Sequence, residues 1–284
     1  MNKCLACIIT YNPNIELLLK NIEAIKNQVS NLLILDNNSN NYLDICKIIG
    51  KNIKIVHNDV NDGISKNLNF AVNFGLENNY EWLLTLDQDT ICPSNLVSSY
   101  LNLYEKLGDK TVASFTPKII NNGIEELGES SEYEFVKMCI TSANLIKLDI
   151  VKVIGGYDER FFIDYVDTDI CANLINSGYK ICRLNNVKIM HSIGVSKLHY
   201  LFGKRIIAYN HSAIRDYYIS RNYLLYMRKY KDKEPLGISK KLIFVKKIII
   251  LLYEKNKFKK FRYIRRGIKD FKRESFGKIK LEDF

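Results

Sequence analysis

The chain has 284 residues, 47% of them apolar and 26% charged, which is enough to bury one large or two modest cores and too apolar for a disordered chain. Its net charge of +11 is confined to one end: residues 228–284 carry 20 Lys and Arg against 7 Asp and Glu, net +13, while residues 1–227 carry 22 against 24, net −2. Seven scattered cysteines (4, 7, 46, 92, 139, 171 and 182) argue against a disulfide framework and for reduced core thiols, because the CxxC spacing of Cys4 and Cys7 is followed by no second pair or nearby His.

The first residues run into a short apolar stretch that soon meets Thr10, Asn12 and Pro13, unlike a secretory leader, so a cytoplasmic location is expected. Residues 5–10 read as a buried strand, and 15–27 as an amphipathic helix with Leu17, Leu18, Ile22 and Ile25 on its apolar side. A second strand at 32–35 ends in Asp36-Asn37-Asn38-Ser39. A third, at 53–57, leads through the polar turn 58–63 into a helix from 64 to about 76. The fourth strand, 82–86, runs into Asp87-Gln88-Asp89-Thr90. Strands alternating with helices and short polar turns predict an α/β fold with a doubly wound, mostly parallel sheet.

Further along come a strand-like piece at 112–115 before Pro117, an acidic loop with Glu125, Glu126, Glu129 and Glu132, and the polar, aromatic stretch 155–171. Residues 187–190 are strand-like and precede His191. Segments 240–253 and 259–266 mix cationic and apolar residues at roughly helical spacing. The first is interrupted by Lys246 and Lys247 and is too short to span a bilayer. Residues 228–284 therefore read as a basic, amphipathic helical extension. It either lies on an anionic membrane surface or packs on the main domain by its apolar stripe, and that apolar face could also pair two subunits as a homodimer. No nucleic-acid recognition motif is visible.

The chemistry concentrates at strand ends. Side chains alternate along a strand, so Asp87 and Asp89 project to the same face at a C-terminal end, the edge at which open α/β sheets bind ligands. Right-handed crossovers bring Thr10-Tyr11 and Asp36-Asn37 to that same edge. A nucleotide spanning them could give its uracil or thymine N3–H to Asp36, its ribose to Asp87 and a diphosphate-bound cation to Asp89. Neither GxGxxG nor GxxxxGK[ST] occurs, so a dinucleotide site and a P-loop are unsupported. In 155–171, Asp169 suits a helix N-terminus. Asp167 sits beside bulky apolar neighbours that would raise its pKa toward a general base's range.

Taken in order, these motifs resemble glycosyltransferase family 2, the inverting GT-A transferases, and especially its rhamnosyltransferase-like members. The pieces that carry the resemblance are Ile9-Thr10-Tyr11-Asn12-Pro13, Leu35-Asp36-Asn37-Asn38-Ser39, Asn61-Asp62-Gly63-Ile64 with Asn69, and Leu86-Asp87-Gln88-Asp89. They continue with Gly155-Gly156-Tyr157-Asp158-Glu159, Phe161 to Asp167, His191 with Gly194, and Arg215 to Asn222. The resemblance implies one GT-A domain over about 1–227. It implies that Thr10, Tyr11 and Asp36 hold the base, that Asn61 and Gly63 shape the loop near ribose and diphosphate, and that Asp87 contacts the ribose. Asp89 would bind Mg²⁺ or Mn²⁺, with His191 as a second contact to metal or diphosphate. Asp167 matches the catalytic carboxylate. The residue before it is Val166 rather than Glu, so Asp164 is expected to take over the acceptor contact. Arg221 or Arg215 would add a positive contact to a phosphate of the donor or of a lipid-linked acceptor; the plain alternative for either is a helix-surface ion pair.

The expected donor is dTDP-β-L-rhamnose, with a UDP-hexose or UDP-N-acetylhexosamine as runner-up. The expected acceptor is a lipid-linked glycan at the cytoplasmic membrane, as in lipopolysaccharide or capsule synthesis. Two rivals stand beside this reading. Asp87-Gln88-Asp89-Thr90 also fits the DxDxT signature of haloacid-dehalogenase-like phosphatases, although that motif normally follows the first strand of its sheet. A membrane-docked nucleotide-binding scaffold with an idle Asp167 is the non-enzymatic alternative.

Overall fold

A strand covered on both faces must be apolar on both, and the first strand meets that condition: Cys4, Ala6 and Ile8 enter one core while Leu5 and Cys7 enter the other. The structure, a computed structural model, describes residues 3–50, 53–121, 124–125, 131–191, 197–201 and 204–280. In chain order its elements are β1 (Cys4–Thr10), α1 (Ile15–Ile25), β2 (Asn31–Asp36), α2 (Tyr42–Ile48), β3 (Lys54–His57), α3 (Ile64–Glu77), β4 (Trp82–Asp87), α4 (Leu96–Leu107), β5 (Val112–Asn121) and β6 (Ile124–Glu125). There follow β7 (Tyr133–Val136), β8 (Asn144–Lys147), α5 (Leu148–Val153), α6 (Val166–Asn176), β9 (Lys180–His191), β10 (Lys197–Leu201), β11 (Lys204–Ala208), α7 (Ala213–Lys229), α8 (Leu242–Tyr253) and α9 (Lys257–Lys272).

The main sheet has the order β3-β2-β1-β4-β8-β5-β9-β7, with β6 paired to β5. Strands β1 to β4 pair in parallel. β8 lies antiparallel between β4 and β5, so β5 and its parallel partner β9 run the same way as the first four. The sheet is thus mostly parallel and doubly wound, as the alternation of elements predicts. Helices α1 and α4 cover one face through Leu18, Ile22, Leu96 and Tyr100; α3, α6 and α7 cover the other through Leu68, Ile170 and Leu225. Burial in these layers pushes the Cys4, Cys92 and Cys182 thiols up to about 12, which keeps them protonated and inert.

Strand β5 is longer than expected. It continues through Pro117 to Asn121, and its pairing with β9 shifts register between Pro117 and Lys118. A bulge there absorbs the N–H that proline lacks.

The basic C-terminal segment follows the packed alternative for α9. This helix lies along α7, and the contact is close because Gly267 has no side chain: a Cβ there would stand 2.5 Å from Ser220 Oγ and 2.5 Å from the Tyr217 carbonyl oxygen. Tyr217 donates its hydroxyl to Asp270 at 2.9 Å, Lys246 of α8 pairs with Asp216 at 2.9 Å, and Lys260 with Glu254 forms a buried pair. Of the segment's cations, Lys246 therefore meets an acid of the main domain and Lys260 an acid of the segment itself. Its apolar stripe is only partly covered, since Phe244, Val245, Leu251 and Leu252 are exposed and Phe258 is 93% exposed.

Gly267→Leu is expected to destabilise the whole protein by about 1–3 kcal/mol, the usual cost of overpacking. Thermal unfolding should show a single transition at lower temperature; an unchanged melting temperature would mean that α9 is not part of the cooperative unit.

Candidate active site

Register places the loaded strand ends together: Thr10 is level with Asp36, and Ile9 with Asp87, so the C-terminal ends of β1, β2 and β4 share one edge. Asp36 is wholly buried (0% exposed). Its carboxylate accepts from Thr10 Oγ1 at 2.8 Å, from the Ser39 amide at 3.0 Å and from His57 Nδ1 at 2.7 Å. A buried carboxylate is stable only when most of its lone pairs are occupied, and here three protein contacts take three of about four, leaving one for the expected contact to a base. His57 went unnoticed in the sequence; the available signal was its place at the end of β3, level with Asp36. Its ring also rests on Tyr42, with centroids 4.0 Å apart. Thr10 is likewise buried, whereas Tyr11 is 50% exposed, with its amide tied to Gln88 Oε1 at 2.8 Å.

The turn before α3 is held by an asparagine exchange. Asn37 Nδ2 donates to Asn61 Oδ1 at 2.9 Å, the Asp62 amide donates to Asn37 Oδ1 at 2.8 Å, and Asn61 Oδ1 also accepts from the Gly63 amide at 3.1 Å. Gly63 has φ +83° and lies so close to Phe162 that a Cβ would stand 2.5 Å from its carbonyl oxygen. No other residue fits both conditions. Asn69, one turn along α3, accepts from the Tyr157 amide at 2.8 Å and donates to its carbonyl at 2.9 Å, fixing the Gly155-Gly156-Tyr157 loop. These motif positions are architectural: they join the first half of the sheet to the loop that leads to Asp167.

That loop and the end of β4 enclose a cavity of about 690 Å³, lined by Asp87, Asp89, Asp164, Asp167 and Arg215 among others. Crowded carboxylates in a desolvated site resist ionisation. Burial, reinforced by the charge of Asp89, raises Asp87 to about 6. Burial raises Asp167 to about 6 against the Thr168 amide that stabilises its anion, with Asp164 and Asp87 adding repulsion. Asp164 is raised as well, by burial, although Arg215 opposes the shift.

The turn that presents these acids is strained. Asp164 and Tyr165 both adopt the left-handed region, at φ +62° and +67°, which costs non-glycine residues about 1–3 kcal/mol each. Helix α7 holds it in place: Asn222 Nδ2 donates to the carbonyls of Ile163 at 2.8 Å and Asp164 at 3.0 Å, and Arg215 Nε donates to Asp164 Oδ1 at 3.0 Å. Asp164 Oδ2 is buried without a hydrogen-bond partner among the described residues. Asp169 stands in the first turn of α6, as expected of a helix-terminus acid, and also pairs with Lys229 at 2.8 Å and accepts from Tyr230 at 3.0 Å.

Of the two candidate arginines, only Arg215 lines the cavity. Arg221 is 0% exposed, and its guanidinium donates to Asn222 Oδ1, the Tyr217 hydroxyl, the Gly277 carbonyl and the Arg160 carbonyl. The expectation of a phosphate contact is corrected there, because Arg221 is fully buried and four of its five N–H groups already donate inside the protein. His191 ends β9 beside Asn121, but its side chain and Gly194 lie outside the described residues. Among the described residues no group of three or more His, Cys, Asp or Glu is placed to enclose a metal ion.

Residues 6–157, more than half of the chain, match the family described as glycosyl transferase family 2. The chain belongs to glycosyl transferase family 2. It is a glycosyltransferase, and the phosphatase alternative falls with that assignment, since three parallel strands precede Asp87. The dTDP-rhamnosyl transferase RfbF of Shigella flexneri is 28% identical over 272 residues, covering 89% of each chain. Among solved structures, GalNAc-T7 with UDP, GalNAc and Mn²⁺ superposes with a TM-score of 0.61 at 13% identity, over 95% of this chain and 56% of that one. Staphylococcus aureus TarS 1–349 in complex with UDP-GlcNAc gives 0.54 at 13% identity, over 95% and 80%. Both likenesses show the GT-A fold. The family match ends before Asp164 and Asp167, so the acidic turn and the helix that holds it lie beyond it.

Proposed function

We propose that this family 2 member is an inverting, metal-dependent rhamnosyltransferase that moves L-rhamnose from dTDP-β-L-rhamnose to a lipid-linked glycan during surface polysaccharide synthesis. The observation that carries the mechanism is the single cavity with Asp87 and Asp89 on one wall and Asp167 on another. The choice of sugar rests on the likeness to the Shigella relative over 89% of both chains.

Asp89 is exposed and has no hydrogen bond or ion pair among the described residues, and Asp87 stands beside it. Asp87 and Asp89 would hold a Mg²⁺ or Mn²⁺ ion as two hard oxygen donors, too few to fill its shell and so compatible with a shared phosphorylated ligand. Such an ion, when bound, neutralises charge on the departing diphosphate. His191, at the end of β9, is the further protein contact expected from the family likeness. Tyr11, half exposed at the end of β1, is the surface offered to the base, and the Thr10–Asp36–His57 cluster sets its position from behind.

Asp167 is the catalytic base. As an acceptor hydroxyl oxygen forms its bond to the anomeric carbon, its proton passes to the Asp167 carboxylate and the bond to the diphosphate oxygen breaks on the opposite side, inverting the centre. A carboxylate at about 6 is ionised at neutral pH yet basic enough to accept that proton. Asp164, with one buried oxygen lacking a partner, is placed to accept a hydrogen bond from an acceptor hydroxyl. Arg215 lines the cavity and is the cation available to a phosphate.

We assign residues 228–284 a second task, docking on the anionic cytoplasmic face of the membrane. Phe244, Leu251, Leu252 and Phe258 are exposed among lysines on α8 and at the start of α9, a combination suited to an interfacial surface. Among the described residues no helix is long and apolar enough to cross a membrane.

Three outcomes are expected. Asp167→Asn should lower kcat by about 10²–10⁴-fold while leaving nucleotide affinity unchanged, and wild-type kcat should fall about tenfold per pH unit below pH 6, as the base gains its proton; normal turnover in the variant would remove Asp167 from its role. In thermal-shift titrations, dTDP should raise the melting temperature only with Mn²⁺ or Mg²⁺ and not in Asp89→Asn; stabilisation without metal, or by UDP rather than dTDP, would overturn the cation site or the donor respectively. Wild-type protein should co-sediment with phosphatidylglycerol-containing vesicles at low salt, and the double variant Leu251→Glu, Phe258→Glu should stay in solution; equal sedimentation of both would argue against the docking surface.

A further inference from the structure

Beyond α9 the chain turns back over α7. Arg221 Nη1 donates to the Gly277 carbonyl at 2.8 Å, and the Ile279 amide donates to the Tyr218 hydroxyl at 2.9 Å. Gly277, at φ +78°, makes the turn between these anchors, and Arg228 pairs with Glu274 at 2.8 Å where the strap begins. The result is a strap, residues 274–280, pinned by the buried arginine.

The strap forms one wall of a second cavity, about 390 Å³, in which Lys278 and Ile279 face the same space as Tyr11 and Asn61. This cavity adjoins the catalytic one, because Ile163 and Arg215 line both. The first residues of the 17-residue helix α7 lie along it, including Ser212, Ile214 and Arg215. Among the described residues no carboxylate lines it. The space therefore has three sources of positive potential: the amides at the start of α7, the Arg215 guanidinium and the Lys278 ammonium. Lys278 is exposed and makes no ion pair among the described residues. His211, just before Ser212, reports the same environment: burial, then the charges of Lys246, Arg215 and Lys260, hold its imidazole down at about 3.

We propose that Lys278, carried by the C-terminal strap, is a donor-binding residue whose ammonium contacts the diphosphate of the nucleotide sugar in the space between Tyr11 and Arg215. The inference rests on the glycosyltransferase reading and extends it to a part of the chain outside the family match. An anion with several oxygens suits this wall. A lysine on a flexible stem acts as a point charge and reaches phosphate without the fixed geometry that a base edge demands. The strap then links the basic C-terminal segment to the donor site, and Arg221, instead of touching phosphate itself, positions the residue that does.

The test is calorimetric titration of full-length wild type, Lys278→Ala, Lys278→Glu and Lys278→Arg with dTDP and UDP in Mn²⁺, and with the uncharged nucleosides thymidine and uridine. Lys278→Ala is expected to weaken binding of the diphosphate that wild type binds by about 5- to 20-fold, Lys278→Glu to weaken it further and Lys278→Arg to restore most of it. Nucleoside affinity and melting temperature should stay at wild-type values, and the donor KM should rise by the same factor as the diphosphate Kd with kcat changed less than about threefold. Diphosphate affinity within twofold of wild type in both Lys278→Ala and Lys278→Glu would overturn the proposal and leave the glycosyltransferase reading standing. An equal loss for nucleoside and diphosphate would also overturn it, since the wall would then act by shape. Failure of wild type itself to bind either diphosphate would take down the donor-site reading and this proposal together.

Discussion

A guanidinium buried without water must have its donors met by the protein, and Arg221 satisfies that demand by drawing on distant parts of the chain: the Arg160 carbonyl, its own helix and the Gly277 carbonyl. Its flat faces lie against Tyr217 and Tyr218, 5.2 and 5.1 Å from the ring centres. The requirement fixes where α7 stands. From that position Asn222 grips the two left-handed residues before α6 and Arg215 meets Asp164. The acidic turn is strained and would relax if released, so the geometry of Asp164 and Asp167 depends on a cation that touches neither.

Electrostatics divides the cleft in two. Around β4 and the acidic turn, carboxylates face one another and burial raises them, a state that a bound cation would relieve. Around the start of α7, burial and then the charges of Lys246, Arg215 and Lys260 lower His211. In the proposed placement, a donor's diphosphate would turn its negative charge toward the second region, with a counter-ion in the first. Arg215 stands at the boundary, lining both cavities.

Much of this was written plainly in the sequence. Strands β1, β2 and β4 are buried on both faces, so each is a largely apolar run ending at a polar residue, whereas β3 is only partly buried; Asp87 closes β4, but Asp89 lies in the turn beyond it, where strand alternation no longer applies. The function of Gly63 and Asn69 was harder to see, because their partners, Phe162 and Tyr157, lie about ninety positions away. Asp36 shows the limit most clearly: its type and place were legible, but three donors converging from β1, its own turn and β3 are a tertiary fact. Arg215 and Arg221 are six positions apart, about 120° around the helix. Deciding which faces the cleft requires knowing which side of α7 is covered. That side is not marked by hydrophobicity, since Asp216, Ser220, Arg221 and Asn222 are all buried on it. Apolar periodicity therefore had nothing to report.

The glycine at 267 bears on how such an enzyme could be taken apart or recombined. Net charge changes sign near residue 228, which invites treating everything after it as an appendage to be trimmed or exchanged. Packing does not change there: α7 meets α9 backbone to backbone at Gly267, and the chain beyond α9 returns to cap Arg221. A chimera joined at the charge boundary would leave a buried cation facing a foreign surface. The acidic turn, α7, α9 and the strap are therefore one packed block, and any exchange of parts must move α6, α7, α9 and residues 274–280 together.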